Sequence, residues 1–108
     1  MNLVVHVHHG VEEHGYDLGT RQSWRCGKRA HEVTRVIGVI KGQVVSVIDG
    51  VYAELSTPEN NPAHRPLSEG RFIFLGGKSW NKRDDASDQP EFMSKKIHGL
   101  GQNFRYMT

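Results

Sequence analysis

Residues 35–49, RVIGVIKGQVVSVID, decide the fold, because two runs of β-branched residues stand on either side of Lys41-Gly42. Valine and isoleucine favour strands, and a glycine in a two-residue turn supplies the positive φ that a tight hairpin needs. We therefore predict a β-hairpin here. Gly38 interrupts the first run, and a glycine inside a strand indicates a bulge or a close backbone approach.

Further strands are expected after the hairpin. Asp49-Gly50 predicts a turn, and VYAELS at residues 51–56 predicts a third strand. Residues 57–70 carry three prolines and no apolar periodicity, which predicts a surface loop. RFIFLGG at residues 71–77 predicts another strand, with Phe72 and Phe74 on one face, and the charged residues 78–89 predict a loop.

The N-terminal third is less regular. NLVVHVHH at residues 2–9 alternates in the manner of a strand, whereas the three glycines of residues 10–23 predict a loop. Residues 28–34 predict at most a short helix. Pro90 is suited to open a second helical turn over residues 90–97, because proline is favoured at the first position of a helix.

Composition and pattern together define the expected class of protein. A length of 108 residues predicts a single domain, 1–108, with an N-terminal strand and loop in 1–22 and the remainder in 23–108. Only 36% of the residues are hydrophobic, so the core must be small. Strands without long helices between them predict a β-dominated α+β fold. We expect one compact, mostly antiparallel sheet or a partly open barrel, with one or two short helices.

Charge and cysteine content bear on the expected partners and cellular compartment of the protein. A formal net charge of +2 does not by itself indicate nucleic acid. Cys26 is the single cysteine, which excludes an internal disulfide and favours a reducing compartment. No signal peptide and no apolar run of membrane-spanning length is present, so we expect a cytoplasmic protein with no membrane partner.

Aromatic residues stand among cations in three segments: RQSWRCGKR at 21–29, KSWNKR at 78–83 and NFRY at 103–106. Aromatic rings that stack on bases, beside cations that neutralise phosphates, hold unstacked nucleotides. Half-buried tryptophans at the rim of a core would produce the same local pattern. The three segments predict a nucleic-acid site only if they meet on one surface.

The C-terminal peptide GLGQNFRYM, residues 99–107, bears on the same site. Phe104 and Tyr106 would share one face of a strand and attach the terminus to the core. Gln102, Asn103 and Arg105 would then present hydrogen-bonding groups at the edge of the sheet. Amide side chains offer the paired donor and acceptor suited to a base edge.

The histidines of HVHHGVEEH, residues 6–14, suggest a metal site instead. On one strand face, His6 and His8 would lie about 7 Å apart, close enough to share zinc or another divalent ion. His14 and a neighbouring glutamate would complete the set of ligands. No second cluster with an obvious spacing follows downstream, and exposed imidazoles are common. Cys26 has no identifiable base, so nucleophilic catalysis has little support.

Several segments follow one another from Trp24 onward: Trp24 and Arg29, the hairpin at 36–45, GRFIFLG at 70–76, FMSKK at 92–96 and GQNFRY at 101–106. Their order resembles a small accessory domain attached to GIY-YIG nuclease-like proteins of bacteria and phages. The resemblance implies a nucleic-acid-associated or ligand-binding accessory domain, encoded by a phage or mobile element. The GIY and YIG catalytic segments are absent, so the resemblance does not imply nuclease activity.

We therefore predict a non-enzymatic nucleic-acid-binding module without a cofactor. Phosphates would be contacted by Arg71, Lys95 and Arg105, and bases would stack on aromatic rings. The first alternative is a protein-interaction module that inhibits a host enzyme, and the second is a metal-dependent hydrolase that uses His6, His8 and His14. The candidate binding residues are Trp24, Arg29, Arg71, Trp80, Lys95, Gln102, Asn103, Arg105 and Tyr106.

Overall fold

The computed structural model describes residues 1–22, 24–84 and 104–107. Five strands form one open sheet in the order β4-β3-β2-β1-β5, and a helix, α1, follows β1. The bounds are β1 Asn2–His6, α1 His8–Arg21, β2 Arg35–Ile40, β3 Gln43–Leu55, β4 Phe72–Asn81 and β5 Phe104–Met107, with short 3-10 helices at Gly27–Glu32 and Pro66–Ser68. Only β1 and β2 pair in parallel, so the predicted β-dominated α+β fold with a mostly antiparallel sheet is confirmed.

The predicted hairpin is confirmed as β2 and β3. Its turn has positive φ at both central residues, 51° at Lys41 and 80° at Gly42. This geometry matches the right-handed twist of paired strands. The register of β2 against β3 shifts between Gly38 and Val39, so the bulge expected near Gly38 is also present.

Gly38 also provides space for side chains that join the helix to the sheet. A Cβ atom at this position would lie 2.2 Å from Ser46 Oγ and 3.1 Å from Thr20 Oγ1. These two hydroxyl groups, fully buried on β3 and α1, share a hydrogen bond of 2.6 Å. The missing side chain of Gly38 therefore allows α1 to approach the sheet closely.

The predicted turn at Asp49-Gly50 is wrong, because β3 continues through it. Gly50 has a φ of 83° inside the strand, and Gly76 and Gly77 of β4 have φ values of 73° and 72°. A Cβ atom on Gly77 would lie 2.3 Å from the carbonyl oxygen of Asp49. The glycines allow the two paired strands to bend together. Because the glycines allow this bend, β4 continues through residues 78–81, where we expected a charged loop.

The prediction of a loop over residues 10–23 is also wrong, because α1 covers most of this stretch. Gly15, at φ 85° and ψ 175°, divides the helix into two arms. A Cβ atom on Gly19 would lie 2.6 Å from the carbonyl carbon of Gly10, so the backbones of the two arms touch. These glycines create a helix–helix contact that requires the absence of side chains.

The sheet has a different apolar cluster on each face. On one face, Val11 and Tyr16 of α1 pack against a core that includes Leu3 and Phe74. The second cluster contains Val4, Ile37, Val39, Val44 and Val47, with Trp80 packed against it. Within residues 1–22, 24–84 and 104–107, no helix is long and apolar enough to cross a bilayer.

The edge strands are stabilised in different ways. β5 pairs antiparallel with β1, with Tyr106 opposite Leu3, so residues 104–107 of the C-terminal peptide are part of the sheet. At the β4 edge, the Arg21 guanidinium donates hydrogen bonds to the carbonyl oxygens of Phe74 at 3.1 Å and Gly76 at 2.7 Å. Asp17 holds this guanidinium through two contacts of 3.0 and 2.9 Å. The helical turn predicted from Pro90 lies outside the described residues.

Candidate functional site

A cavity of about 480 Å³ lies where the start of α1 meets Trp24 and residues 65–71. Its lining combines imidazoles, guanidinium groups and one indole, and Glu13 is the one carboxylate among the lining residues. The lining residues are His6, His8, His9, Gly10, Glu13, His14, Gly19, Gln22, Trp24, Arg65, Leu67, Ser68 and Arg71. The cavity therefore brings together residues that the sequence assigned to separate nucleic-acid and metal sites.

Arg71 is the most unusual residue of the cavity. Its backbone is fixed on both sides, because its N–H donates to Ser68 O at 3.0 Å and its carbonyl accepts from Ser56 N at 2.8 Å. In contrast, its Nε atom is buried and has no hydrogen-bond partner among the described residues. An unpartnered buried donor lowers stability, and more so when the group is charged. Within the described part of the chain, the Arg71 Nε donor therefore lacks an acceptor.

Trp24 has a fixed position beside Arg71. Its backbone exchanges hydrogen bonds of 2.9 and 2.8 Å with Phe72, which extends the edge of β4 by one isolated bridge. The indole N–H donates to Thr20 O at 2.8 Å. The ring is half-buried against the core face that carries α1, and it also lines the cavity. It therefore offers a rigid aromatic surface to a ligand.

A polar network is connected to the cavity through Gln22, which lines it and accepts a hydrogen bond from Asn61. Asn61, only 1% exposed, donates to Gln22 Oε1 at 3.0 Å and to Ser56 Oγ at 2.9 Å. His64 Nδ1 lies 2.9 Å from Ser56 Oγ, and His64 Nε2 lies 3.2 Å from Glu69 Oε1. Because Ser56 is 4% exposed, this chain of contacts shapes the loop and does not present a nucleophile. Sequence reasoning missed it, since its members are spread through a proline-rich loop.

The histidines lie differently from the metal site that was considered as an alternative. β1 ends at His6 and His8 begins α1, so the two do not project from one strand face. Instead His8 lies 3.4 Å from Glu12, and His14 lies 3.4 Å from Glu13. In the described part of the chain, no three His, Cys, Asp or Glu side chains are arranged to hold a metal ion.

The remaining candidate residues are distributed over both faces of the sheet. Trp80 packs on the face opposite Trp24, with Lys78 Nζ 5.1 Å from its ring centroid. Arg29 stacks over Tyr106 at 4.7 Å, and the Tyr106 hydroxyl donates to the carbonyl oxygen of Cys26. The described parts of the three aromatic–basic segments therefore do not form one surface. Arg105 is placed only by its backbone pairing with Val4, and Lys95, Gln102 and Asn103 lie outside the described residues.

Cys26 is expected to react slowly with thiol reagents in the folded protein. Burial raises the pKa of its thiol, and the hydrogen bond with Tyr106 opposes this rise to a smaller extent. The thiolate is the reactive form, so less of it is present at neutral pH and the 6% exposed side chain is also poorly accessible. Alkylation by iodoacetamide at pH 7.5 or so should be much slower before than after unfolding in guanidinium chloride. Equal rates would show that the thiol is open to solvent.

No protein-family model, curated protein or solved structure matches the chain. The resemblance to the accessory domain of GIY-YIG nuclease-like proteins therefore stays a prediction. The cavity combines cationic and aromatic side chains.

Proposed function

We propose that the protein is a non-enzymatic binding module for single-stranded nucleic acid, and that the cavity is its binding site. The observation that carries this proposal is the shared cavity of Trp24 and Arg71, in which the buried Arg71 Nε has no hydrogen-bond partner among the described residues. The resemblance of residues 24–106 to a nucleic-acid-associated domain points in the same direction. A single buried thiol suits the reducing cytoplasm, which is where we place this activity.

The composition of the cavity fits one unit of a nucleic-acid strand. Its volume of about 480 Å³ lies in the range of small-molecule sites, roughly 300–1,000 Å³. Arg71 and Arg65 supply guanidinium donors for a phosphate, and guanidinium groups match phosphate geometry well. Trp24 supplies the ring on which a base stacks, and stacking works for every base. The site would therefore bind strands with little sequence preference.

Replacing Arg71 by glutamine should weaken binding of a labelled single-stranded oligonucleotide about tenfold and reduce its dependence on salt. Each lost phosphate contact removes roughly 0.7 from the slope of log K against log salt concentration. Fluorescence anisotropy at several salt concentrations measures both quantities. Thermal unfolding of the variant checks that it still folds.

Lys78→Gln is the matched control, because Lys78 is an exposed cation that contacts Trp80 outside the cavity. This variant should retain the affinity of the unmodified protein. Equal losses in both variants would mean that binding depends on overall charge and not on the cavity. Unchanged affinity in Arg71→Gln would contradict the proposal directly.

A protein-interaction module is the second candidate, and exposed apolar side chains favour it. Tyr52 and Leu55 of β3 are each 55% exposed, and Leu67 beside the cavity is 70% exposed. Large apolar side chains on a surface occur in protein contacts. Purification that recovers one stoichiometric protein partner and no nucleic acid would favour this function over the first.

A further inference from the structure

We infer that the cavity recognises a phosphate monoester at the end of a nucleic-acid strand, in preference to the phosphodiesters within it. This inference rests on the proposed function and specifies its ligand. Three features support it: the two guanidinium groups of the cavity, the indole that lines the same cavity, and the charge of a phosphate that two guanidinium groups can pair with.

Two guanidinium groups line the cavity, one more than the single charge of an internal phosphate would pair with. Arg65 and Arg71 both line it, neither guanidinium pairs with a carboxylate of the described residues, and Glu13 is the one lining carboxylate. Glu13 itself lies 3.4 Å from His14 and forms no ion pair with either guanidinium group. Two guanidinium groups thus remain for the ligand.

A phosphate monoester suits such a site better than a diester. At neutral pH it carries a charge of about −1.5 to −2 and three strong acceptor oxygens. A phosphodiester carries a single charge, because two of its oxygens are esterified. Each guanidinium offers five N–H donors and no acceptor, so a dianion uses more of the donors that Arg65 and Arg71 provide.

Two further features favour a nucleotide over other phosphate esters. Trp24 lines the same cavity as Arg71, so the phosphate and an attached base have separate partners within one site. The side-chain amide of Gln22 is held by Asn61 at 3.0 Å, which fixes a neutral polar group at the cavity wall. Phosphoserine or phosphothreonine would use the guanidinium groups and leave the indole without a ring to stack on.

The test compares three oligonucleotides of one sequence, which carry a 5′-phosphate, a 3′-phosphate or hydroxyl groups at both ends. Anisotropy competition at fixed salt should show about tenfold tighter binding for one phosphorylated form than for the hydroxyl form, as expected for one added charge-assisted contact. This advantage should disappear in Arg71→Gln and in Arg65→Gln, and it should persist in Lys78→Gln. Two separate arginine variants are used so that the test remains valid if one of them fails to fold.

The outcomes separate this inference from the proposed function. Equal binding of all three oligonucleotides would overturn the terminal-phosphate inference and leave single-strand binding intact. No binding of any oligonucleotide would overturn both. A free nucleoside monophosphate that competes as well as the phosphorylated strand would overturn recognition of strand ends, because the monoester alone would then be the ligand. A phosphopeptide that competes better than the phosphorylated strand would also overturn the inference.

Discussion

Gly19→Ala is expected to lower the free energy of unfolding by about 1–3 kcal/mol, the usual cost of forcing extra atoms into a packed site. The new Cβ would lie 2.6 Å from the carbonyl carbon of Gly10 and 2.8 Å from the amide nitrogen of Val11, both backbone atoms of the other arm of α1. Neither atom can move without shifting that arm. Alanine in an isolated helix would instead add roughly 1 kcal/mol of stability.

Urea denaturation followed by circular dichroism measures this change, with Glu12→Ala as the control for alanine in the same helix. Glu12 is exposed and its one ion pair among the described residues is with His8, so its replacement should change stability by less than about 0.5 kcal/mol. Gly10 and Gly19 both line the cavity, so Gly19→Ala should also weaken oligonucleotide binding. A variant more stable than the unmodified protein would show that the two arms do not touch.

The second large effect is expected at Gly38, where alanine should also cost about 1–3 kcal/mol. Its Cβ would lie 2.2 Å from Ser46 Oγ, which would have to rotate away and lose its hydrogen bond with Thr20. Ser46→Ala alone should cost about 1 kcal/mol, the usual net value of one hydrogen bond. Thr20 Oγ1 would remain satisfied, because it also donates to Tyr16 O at 2.7 Å.

The double variant Gly38→Ala/Ser46→Ala should be more stable than the sum of the two single changes predicts. Removing Ser46 Oγ provides the space that the new methyl group needs, so the two sites are coupled by about 1 kcal/mol or more. A double-mutant cycle in urea measures this coupling. Strict additivity would mean that Ser46 does not occupy the space above Gly38.

The parts of the fold that could be predicted are those set by local pattern. The hairpin at Lys41-Gly42 and the strand that begins at Phe72 depend on β-branched and aromatic residues next to glycine. The wrong predictions of a turn at Asp49-Gly50 and of a loop over residues 10–23 both involve glycines whose role depends on distant backbone. Sequence alone does not distinguish a glycine that breaks a helix from one such as Gly19, which allows two helical arms to touch. It also does not distinguish a glycine that makes a turn from one such as Gly50, which bends a strand.

The bend explains why only part of the candidate site could be predicted. A regular strand would place residues 74 and 80 on the same face, because side chains alternate. Phe74 and Trp80 instead belong to clusters on opposite faces, since the glycine pair between them shifts the alternation. Trp24 and Arg71 line one cavity, whereas the nucleic-acid hypothesis required all three aromatic–basic segments on one surface, and Trp80 lies on the opposite face. His8, His9 and His14 reach the cavity from a helix that the sequence pattern did not reveal.

Arg21 has a consequence for how the molecule behaves in a crowded solution. Free carbonyl groups along an outer strand can recruit a strand from another molecule and begin fibrous aggregation. The Arg21 side chain already donates to two such carbonyls, and Asp17 holds it there. An incoming strand would have to displace the Arg21 guanidinium, which is held by Asp17 on one side and by two β4 carbonyl groups on the other. The same ion pair therefore protects the protein against aggregation at this border.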